Sequence, residues 1–176
     1  RFKFSKDGDF MDNDRSLATP PWASIRELEH ASLQIEREDN AGTPEHTRWI
    51  DMLVAPGSSL GGARPKANVV DENGHLWIVK FPSAGDTKDS GAWEMVTAEL
   101  ARSCGIEMSE CRAQRFGSRH HSFMTERFDR TDRSRRIHFA SAMTLLGYTD
   151  GASHTEGASY LELAEWIIAN CDDTDR

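Results

Sequence analysis

The stretch from Lys66 to Phe81, KANVVDENGHLWIVKF, constrains the fold more than any other because it predicts a β-hairpin. Apolar runs flank Asn73-Gly74, and this dipeptide readily takes the two left-handed positions of a tight turn. Two further short strands are predicted later in the chain, at ECRAQRF and HSFMTERF. We therefore expect an antiparallel sheet.

Helical periodicity accounts for much of the remaining chain. Apolar spacing and capping residues predict helices over residues 23–38, 43–54, 90–105, 139–147 and 159–170. Pro56-Gly57 is expected to end the second of these helices. We expect the tryptophans on predicted element faces to pack in the core, namely Trp77, Trp93 and Trp166. The pattern as a whole is α+β.

Composition excludes several classes of protein. A chain of 176 residues suits one domain, or one and a fraction, with a sizeable core. A net charge of -8 and a pI near 5.3 argue against a free-standing nucleic-acid binder. No apolar run approaches the ~20 residues of a membrane span. The 3 cysteines lack a C-x-x-C spacing, which favours free, buried thiols in a reducing cytosol. Because the first residue is Arg1, we expect the chain to begin inside a larger protein.

The loop GSSLGGARPK, residues 57–66, resembles two nucleotide-binding motifs without matching either. Gly57 and Gly62 have P-loop separation, but Ala63 and Arg64 replace the lysine and hydroxyl residue that should follow. A predicted strand follows the loop, whereas a Rossmann fingerprint opens a helix. Two interpretations stay open: a glycine-rich flap whose backbone N–H groups approach phosphates, and a plain surface turn.

Lys80 lies in the apolar run WIVKF of the second predicted strand. Strand alternation places Ile78 and Lys80 on one face and the neighbouring aromatic residues on the other. A lysine there must find an anionic partner or extend to water. Protein kinases use such a lysine for the α- and β-phosphates of ATP and hold it with a helix glutamate. Glu94 and Glu99 are both candidates here, and a solvated edge lysine is the alternative.

Several ordered motifs, SSLGGARPKA, VKFPS, GAWE, TERFDR and RIHFASAMTLLG, resemble the HipA family of bacterial toxin serine/threonine kinases. The resemblance covers about residues 56–170. It implies a protein-kinase-like N-lobe, with an antiparallel sheet and an αC-like helix, followed by the lobe junction. It also implies use of ATP and Mg²⁺ and a cytoplasmic toxin–antitoxin context.

The resemblance implies a role for individual residues. Ser59 matches the family's phosphorylatable loop serine, beside the glycines of the flap. Lys80 matches the lysine that binds the ATP phosphates, and Glu94 the helix glutamate. The segment Glu126–Phe128 corresponds to the backbone that hydrogen-bonds adenine. The full set of implied ATP-binding residues is Gly61, Gly62, Ile78, Lys80, Glu94, Glu126, Phe128 and Asp129, where Ile78 packs against the base and Asp129 reaches the ribose.

The chain departs from the family in one respect, because a kinase also needs an aspartate for the substrate hydroxyl and another for Mg²⁺. The family carries both after the SYLELAEWI helix, and the terminal CDDTDR has neither the spacing nor the flanking strand. We assign no catalytic or metal-binding residue and expect these aspartates downstream of Arg176. The predicted divisions are an N-terminal helical and irregular region (1–55), the ATP-binding lobe (56–130) and helices opening the C-lobe (131–176). We expect the isolated chain to be inactive as a kinase.

Two functions stay open. The first is a toxin serine/threonine kinase whose resemblance implies an aminoacyl-tRNA synthetase as protein substrate and an antitoxin as partner. DNA would be met only through the antitoxin, and no membrane is involved. The second is a non-catalytic kinase lobe that binds a partner protein. The arginine-rich segment RFDRTDRSRR, residues 127–136, is expected to be a solvated charged turn or a surface for an anionic partner.

Overall fold

The structure is a computed structural model that describes residues 19–37, 42–57, 60, 62, 64–131 and 135–172, with the side chains of residues 54–57 excepted. The chain divides into two compact units, residues 1–136 and residues 137–176. In the parts of the chain that the structure describes, no helix is long and apolar enough to cross a membrane.

A four-stranded antiparallel sheet organises the first unit, in the order β1-β2-β4-β3. The strands are β1 (Lys66–Val70), β2 (Leu76–Lys80), β3 (Cys111–Gln114) and β4 (Ser122–Glu126). The predicted hairpin is confirmed, since β1 pairs with β2 in a register that sets Lys66 opposite Lys80. The two later strands are confirmed as well.

The hairpin turn is wider than predicted. The Asp71 N–H donates to the His75 carbonyl at 3.0 Å and the Gly74 N–H to the Asp71 carbonyl at 3.1 Å. Gly74 has a φ of 85°, in the left-handed region. The Asp71 carboxylate accepts the N–H groups of Asn73 and His75, each at 2.9 Å. These side-chain bonds stabilise a loop over residues 71–75, so the expectation of a two-residue turn at Asn73-Gly74 was wrong.

Two helices cover one face of the sheet, which we call the back face. They are α1 (Ile25–Ile35), preceded by a 3₁₀ turn at Trp22–Ser24, and α2 (Pro44–Gly57). Both were predicted, although α1 is shorter than expected and α2 continues through Pro56-Gly57 rather than stopping there. Proline has no N–H to donate to the residue four positions earlier, so in a last turn it removes one helix hydrogen bond without interrupting later ones. The buried core between helices and sheet contains Ile25, Leu28, Ala67, Val69, Trp77, Val79, Phe81 and Met124.

A single long helix, α3 (Ser90–Ser103), contacts the opposite face, which we call the front face. Its buried residues are Gly91 and Ala98, and a small cluster joins Ala98 to Cys111 and Phe123. Met95 packs against this cluster, whereas Trp93 and Leu100 turn outward and are each 61% exposed. The expectation that Trp93 packs in the core was wrong, whereas Trp77 is fully buried.

The second unit contains the helices α4 (Ala142–Leu146) and α5 (Tyr160–Asn170) and a 3₁₀ turn at His154–Glu156. The hydroxyls of Ser141 and Ser159 accept N–H groups of the first turns of α4 and α5, as N-caps do. Gly147 ends α4 with a φ of 75°. Trp166 on α5 is half-buried rather than in a core. Of the three cysteines, Cys111 is buried as expected, whereas Cys104 and Cys171 are exposed, so that expectation was wrong for both.

Candidate functional site

Lys80 and Glu94 form an ion pair on the front face of the sheet. Lys80 ends β2, and its Nζ lies 2.5 Å from Oε2 of Glu94 on α3. Each side chain is about one-third exposed, at 33% and 32%. Glu99, the other candidate partner, contacts Arg102 on its own helix at 2.7 Å. The structure therefore brings together Lys80 and Glu94 and leaves Glu99 apart.

Lys66 is a second cation at this place that sequence reasoning missed. It lies opposite Lys80 in the β1–β2 register. Its Nζ donates to the carbonyls of Gly62 at 2.9 Å and Arg64 at 2.5 Å, so it holds the end of the glycine loop. Burial, together with the charges of Lys80 and Arg64, lowers the pKa of Lys66. The signal was available, because in an antiparallel hairpin the first residue of one strand faces the last residue of the other.

A cleft of about 560 Å³ opens beside Ile78, on the same face as Lys80. It is lined by Ile78, Glu107, Met108, Ser109, Thr125, Glu126, Arg127, Phe128 and Asp129. The cleft thus gathers the residues predicted for the base and the ribose. Ile78 and Lys80 are two positions apart on one strand, or about 7 Å. The arrangement suits a ligand with a flat apolar part and an anionic part that extends toward the lysines.

The backbone of the predicted adenine-binding segment is partly engaged already. The Glu126 N–H donates to the Glu110 carbonyl at 2.9 Å, and the Arg127 N–H donates to the Leu76 carbonyl at 2.8 Å. These bonds continue the sheet pattern just past the end of β4. Phe128 follows with an exposed ring at the edge of the cleft.

Asp129 is held by two arginines at the edge of the cleft. Arg127 donates from Nε and Nη2 to the two carboxylate oxygens, at 2.8 and 2.7 Å, and Arg130 Nη1 lies 2.5 Å from Oδ2. Arg127 also donates to Oδ1 of Asn68 on β1 at 2.7 Å. The hydrogen bonds from Arg127 outweigh the effect of burial and, with the charge of Arg130, lower the pKa of Asp129 to about 2.

These contacts correct the expectation of a solvated charged turn. The side chains of Arg127 and Arg130 are only 10% and 12% exposed, because both turn inward onto Asp129. Arg135 and Arg136 are exposed, as expected. Arg133 lies outside the described residues.

Of the predicted loop residues Ser59, Gly61 and Gly62, the structure describes Gly62 alone. Gly62 has a φ of 89° and its carbonyl contacts Lys66. Ser59 and Gly61 lie outside the described residues. Among the described residues, no group of three or more His, Cys, Asp or Glu side chains is arranged to hold a metal ion.

The fold and site define a class: an α+β protein whose antiparallel sheet carries a lysine–glutamate pair on the same face as a cleft lined by Ile78. Residues 58–176 match the model of the HipA-like C-terminal domain, and the chain belongs to this family. No curated protein and no solved structure gives a significant match. The helices α1 and α2 up to Gly57 precede the matched region.

Proposed function

We propose that this chain is the ATP-binding part of a HipA-type serine/threonine protein kinase. The observation that carries the proposal is the Lys80–Glu94 pair beside the Ile78 cleft. A half-buried lysine fixed by a helix carboxylate is the arrangement with which kinases bind the α- and β-phosphates. Family membership supports the same function.

Different groups in and beside the cleft would contact the adenine, the ribose and the phosphates of ATP. Ile78 would pack against adenine, the backbone of residues 126–128 would contact its polar edge, and Asp129 would accept from the ribose. Lys80 and Lys66 would face the phosphates, because they lie opposite each other on the face of the sheet that carries Ile78. Gly61 and Gly62 would let the loop backbone approach the phosphates, since glycine has no Cβ to keep them apart.

Bound ATP supplies the phosphoryl group that a kinase transfers, with Mg²⁺ as its metal. In this chain, Lys80 would offset phosphate charge and Glu94 would orient Lys80. We assign no Mg²⁺ ligand and no base to these residues. The intact protein is proposed to act in the cytoplasm on a protein substrate, for which the family implies an aminoacyl-tRNA synthetase, and to be paired with an antitoxin that alone contacts DNA.

A titration of the full-length protein with ATP tests this function. Lys80→Ala should weaken ATP binding about 10- to 100-fold, because a hydrogen bond to a charged group contributes about 1.5–3 kcal/mol. It should also abolish phosphoryl transfer. Lys88→Ala, at an exposed loop position outside the cleft, is the matched control and should bind ATP like the wild type. Equal affinity and turnover in Lys80→Ala would remove Lys80 from the site.

A non-catalytic role as a binding module is the second candidate. The exposed Trp93 and Leu100 on α3 favour it, because large apolar side chains in the open often mark protein contacts. If an antitoxin docks there, Trp93→Ser should weaken antitoxin binding in calorimetry, whereas Lys80→Ala should not. A wild-type protein that binds antitoxin through Trp93 but does not bind ATP would support this second function.

A further inference from the structure

The carboxylate of Asp89 joins the start of α3 to the start of β4. Its Oδ1 accepts the N–H of Ala92 at 3.1 Å, which makes Asp89 the N-cap of α3. The same oxygen accepts the N–H of His121 at 2.9 Å, and Oδ2 lies 2.6 Å from Nδ1 of the His121 ring. One side chain therefore fixes a helix end and a strand end to each other.

Gly91 shows how tightly these two parts meet. A Cβ at this position would lie 2.1 Å from the carbonyl oxygen of His121, far inside van der Waals contact. The backbone of the first turn of α3 thus rests directly on the backbone before β4. Because the close partner is backbone rather than a mobile side chain, the helix start has little room to shift toward the sheet.

The loop that contains His121 is fixed from its other side by α1. We define the β3–β4 loop as residues 115–121. Glu29 on α1, which is 1% exposed, accepts the N–H groups of Gly117 and Ser118, each at 2.9 Å. Its other oxygen accepts the Ser122 hydroxyl at 2.6 Å. A helix outside the family match thereby holds a loop that touches α3.

These contacts bear on Glu94 because they fix the first turn of α3. The other anchors of the helix lie beyond Glu94, where Ala98 packs with Cys111 and Phe123. Farther along, Arg102 donates to the Ser109 carbonyl at 2.7 Å. Glu94 follows Asp89 by five positions, or about one and a half helical turns. A shift of the first turn would carry the Glu94 carboxylate away from Lys80, and a displacement of about 1.5 Å along the contact would lengthen the 2.5 Å distance beyond hydrogen-bond reach.

We propose that Asp89 is a positioning residue for the Lys80–Glu94 pair, and that Glu29 supports it by fixing the β3–β4 loop. For its effect on ATP, the proposal rests on the proposed function of that pair. Its consequence is that α1, which precedes the family match, helps to set the geometry of the candidate site.

Acetylation of Lys80 tests the positioning without any nucleotide. Asp89→Ser keeps a good N-cap but is too short to reach the His121 ring. We expect the ε-amine of Lys80 to react several-fold faster with an acylating reagent in this variant than in the wild type, as followed by mass spectrometry. Glu94→Gln should give a similar increase. Glu29→Gln, which keeps the shape of the side chain, should give a smaller one.

A control and two contrary outcomes complete this test. Ser103→Ala removes a hydrogen bond to the Glu99 carbonyl at the far end of α3 and should leave the Lys80 rate unchanged. The proposal is overturned if Glu94→Gln accelerates the reaction and Asp89→Ser does not. It is equally overturned if neither variant has an effect, because there is then no pair to position.

Nucleotide binding by the full-length protein separates positioning from general damage. Asp89→Ser should weaken ATP binding about 3- to 10-fold and leave adenosine binding unchanged, because adenosine has no phosphate for Lys80. In a Lys80→Ala background, Asp89→Ser should cause no further loss. Equal losses for ATP and adenosine would mean that Asp89 merely supports the fold. If the wild type binds no ATP, the proposed function fails, while the acetylation rates still decide the role of Asp89.

Discussion

The two faces of one sheet differ in what covers them. On the back face, α1 and α2 bury Trp77, Val79 and Phe81 completely, and Trp22 packs edge-on against Trp77 with ring centroids 5.2 Å apart. On the front face, Ile78 and Lys80 of the same strand are only half-buried. Successive residues of β2 thus point alternately into the closed core and toward the open front face.

The difference teaches where stability and function reside in this molecule. Burial of large apolar side chains dominates the free energy of folding, and that burial lies on the back face. A half-exposed ion pair such as Lys80–Glu94 contributes only about 0.2–1 kcal/mol. The front face therefore keeps its charged groups accessible, and the sheet depends on helices that lie before the family match.

The back-face core gives the largest expected effect. Trp77→Ala should lower the free energy of unfolding by about 3–5 kcal/mol, because it leaves a large cavity in a closed core. Ile78→Ala on the front face should cost less, since its side chain is only half-buried. Chemical denaturation of the two variants measures the contrast, and equal losses would contradict the comparison of the faces.

Acid should lower the free energy of unfolding through protonation of Asp129. The folded pKa of Asp129 is about 2, below the ordinary value of 3.8, so its ionised form stabilises the fold. This contribution, about 2 kcal/mol, is present above pH ~4 and is lost as the pH falls toward 2. Denaturation of wild type and Asp129→Asn should give a difference that shrinks over this range. Exposed Asp150→Asn serves as the control, and a gap independent of pH would be contrary.

ATP binding should respond to charge at Ser59 of the loop GSSLGGARPK. A phosphoserine adds about -1.5 to -2 charges, and beside bound phosphates it should favour an open loop. Ser59→Asp should lower ATP affinity by several-fold, less than phosphorylation, because aspartate carries less charge. Calorimetry compares it with Ser59→Ala and with Ser58→Ala as the control. Wild-type affinity in Ser59→Asp, with no phosphate on Ser59 by mass spectrometry, would exclude this switch.

The outer side of α3 should give the smallest effect. Trp93→Ser should change the free energy of unfolding by no more than about 0.5 kcal/mol, because the ring is exposed and packs in neither face. Thermal and chemical denaturation check this. A loss above about 1 kcal/mol would show that Trp93 is covered after all and would restore the original expectation of a core position.

Local patterns were enough to predict much of this molecule. The β1–β2 hairpin, the alternation of Ile78 and Lys80 with their buried neighbours, and the helix starting at Pro44 all follow from spacing within one element. Their physical basis is short-range, because side-chain direction in a strand and capping at a helix end depend on adjacent residues. Four of the cleft residues were likewise found by motif, namely Ile78, Glu126, Phe128 and Asp129, although their roles stay predictions.

Contacts between distant elements needed the folded chain. Glu94 rather than Glu99 meets Lys80 because Gly91 and Ala98, not Trp93 and Leu100, turn toward the sheet. The helical periodicity of α3 fits either contact with the sheet, through its small residues or through its large apolar ones. Glu29 reaches Gly117 across 88 positions of sequence, a pairing set by how α1 lies on the back of the sheet. Periodicity along the chain determines the direction of each side chain within its helix or strand. Which residue that side chain contacts depends on how the surfaces of the helices and the sheet fit together.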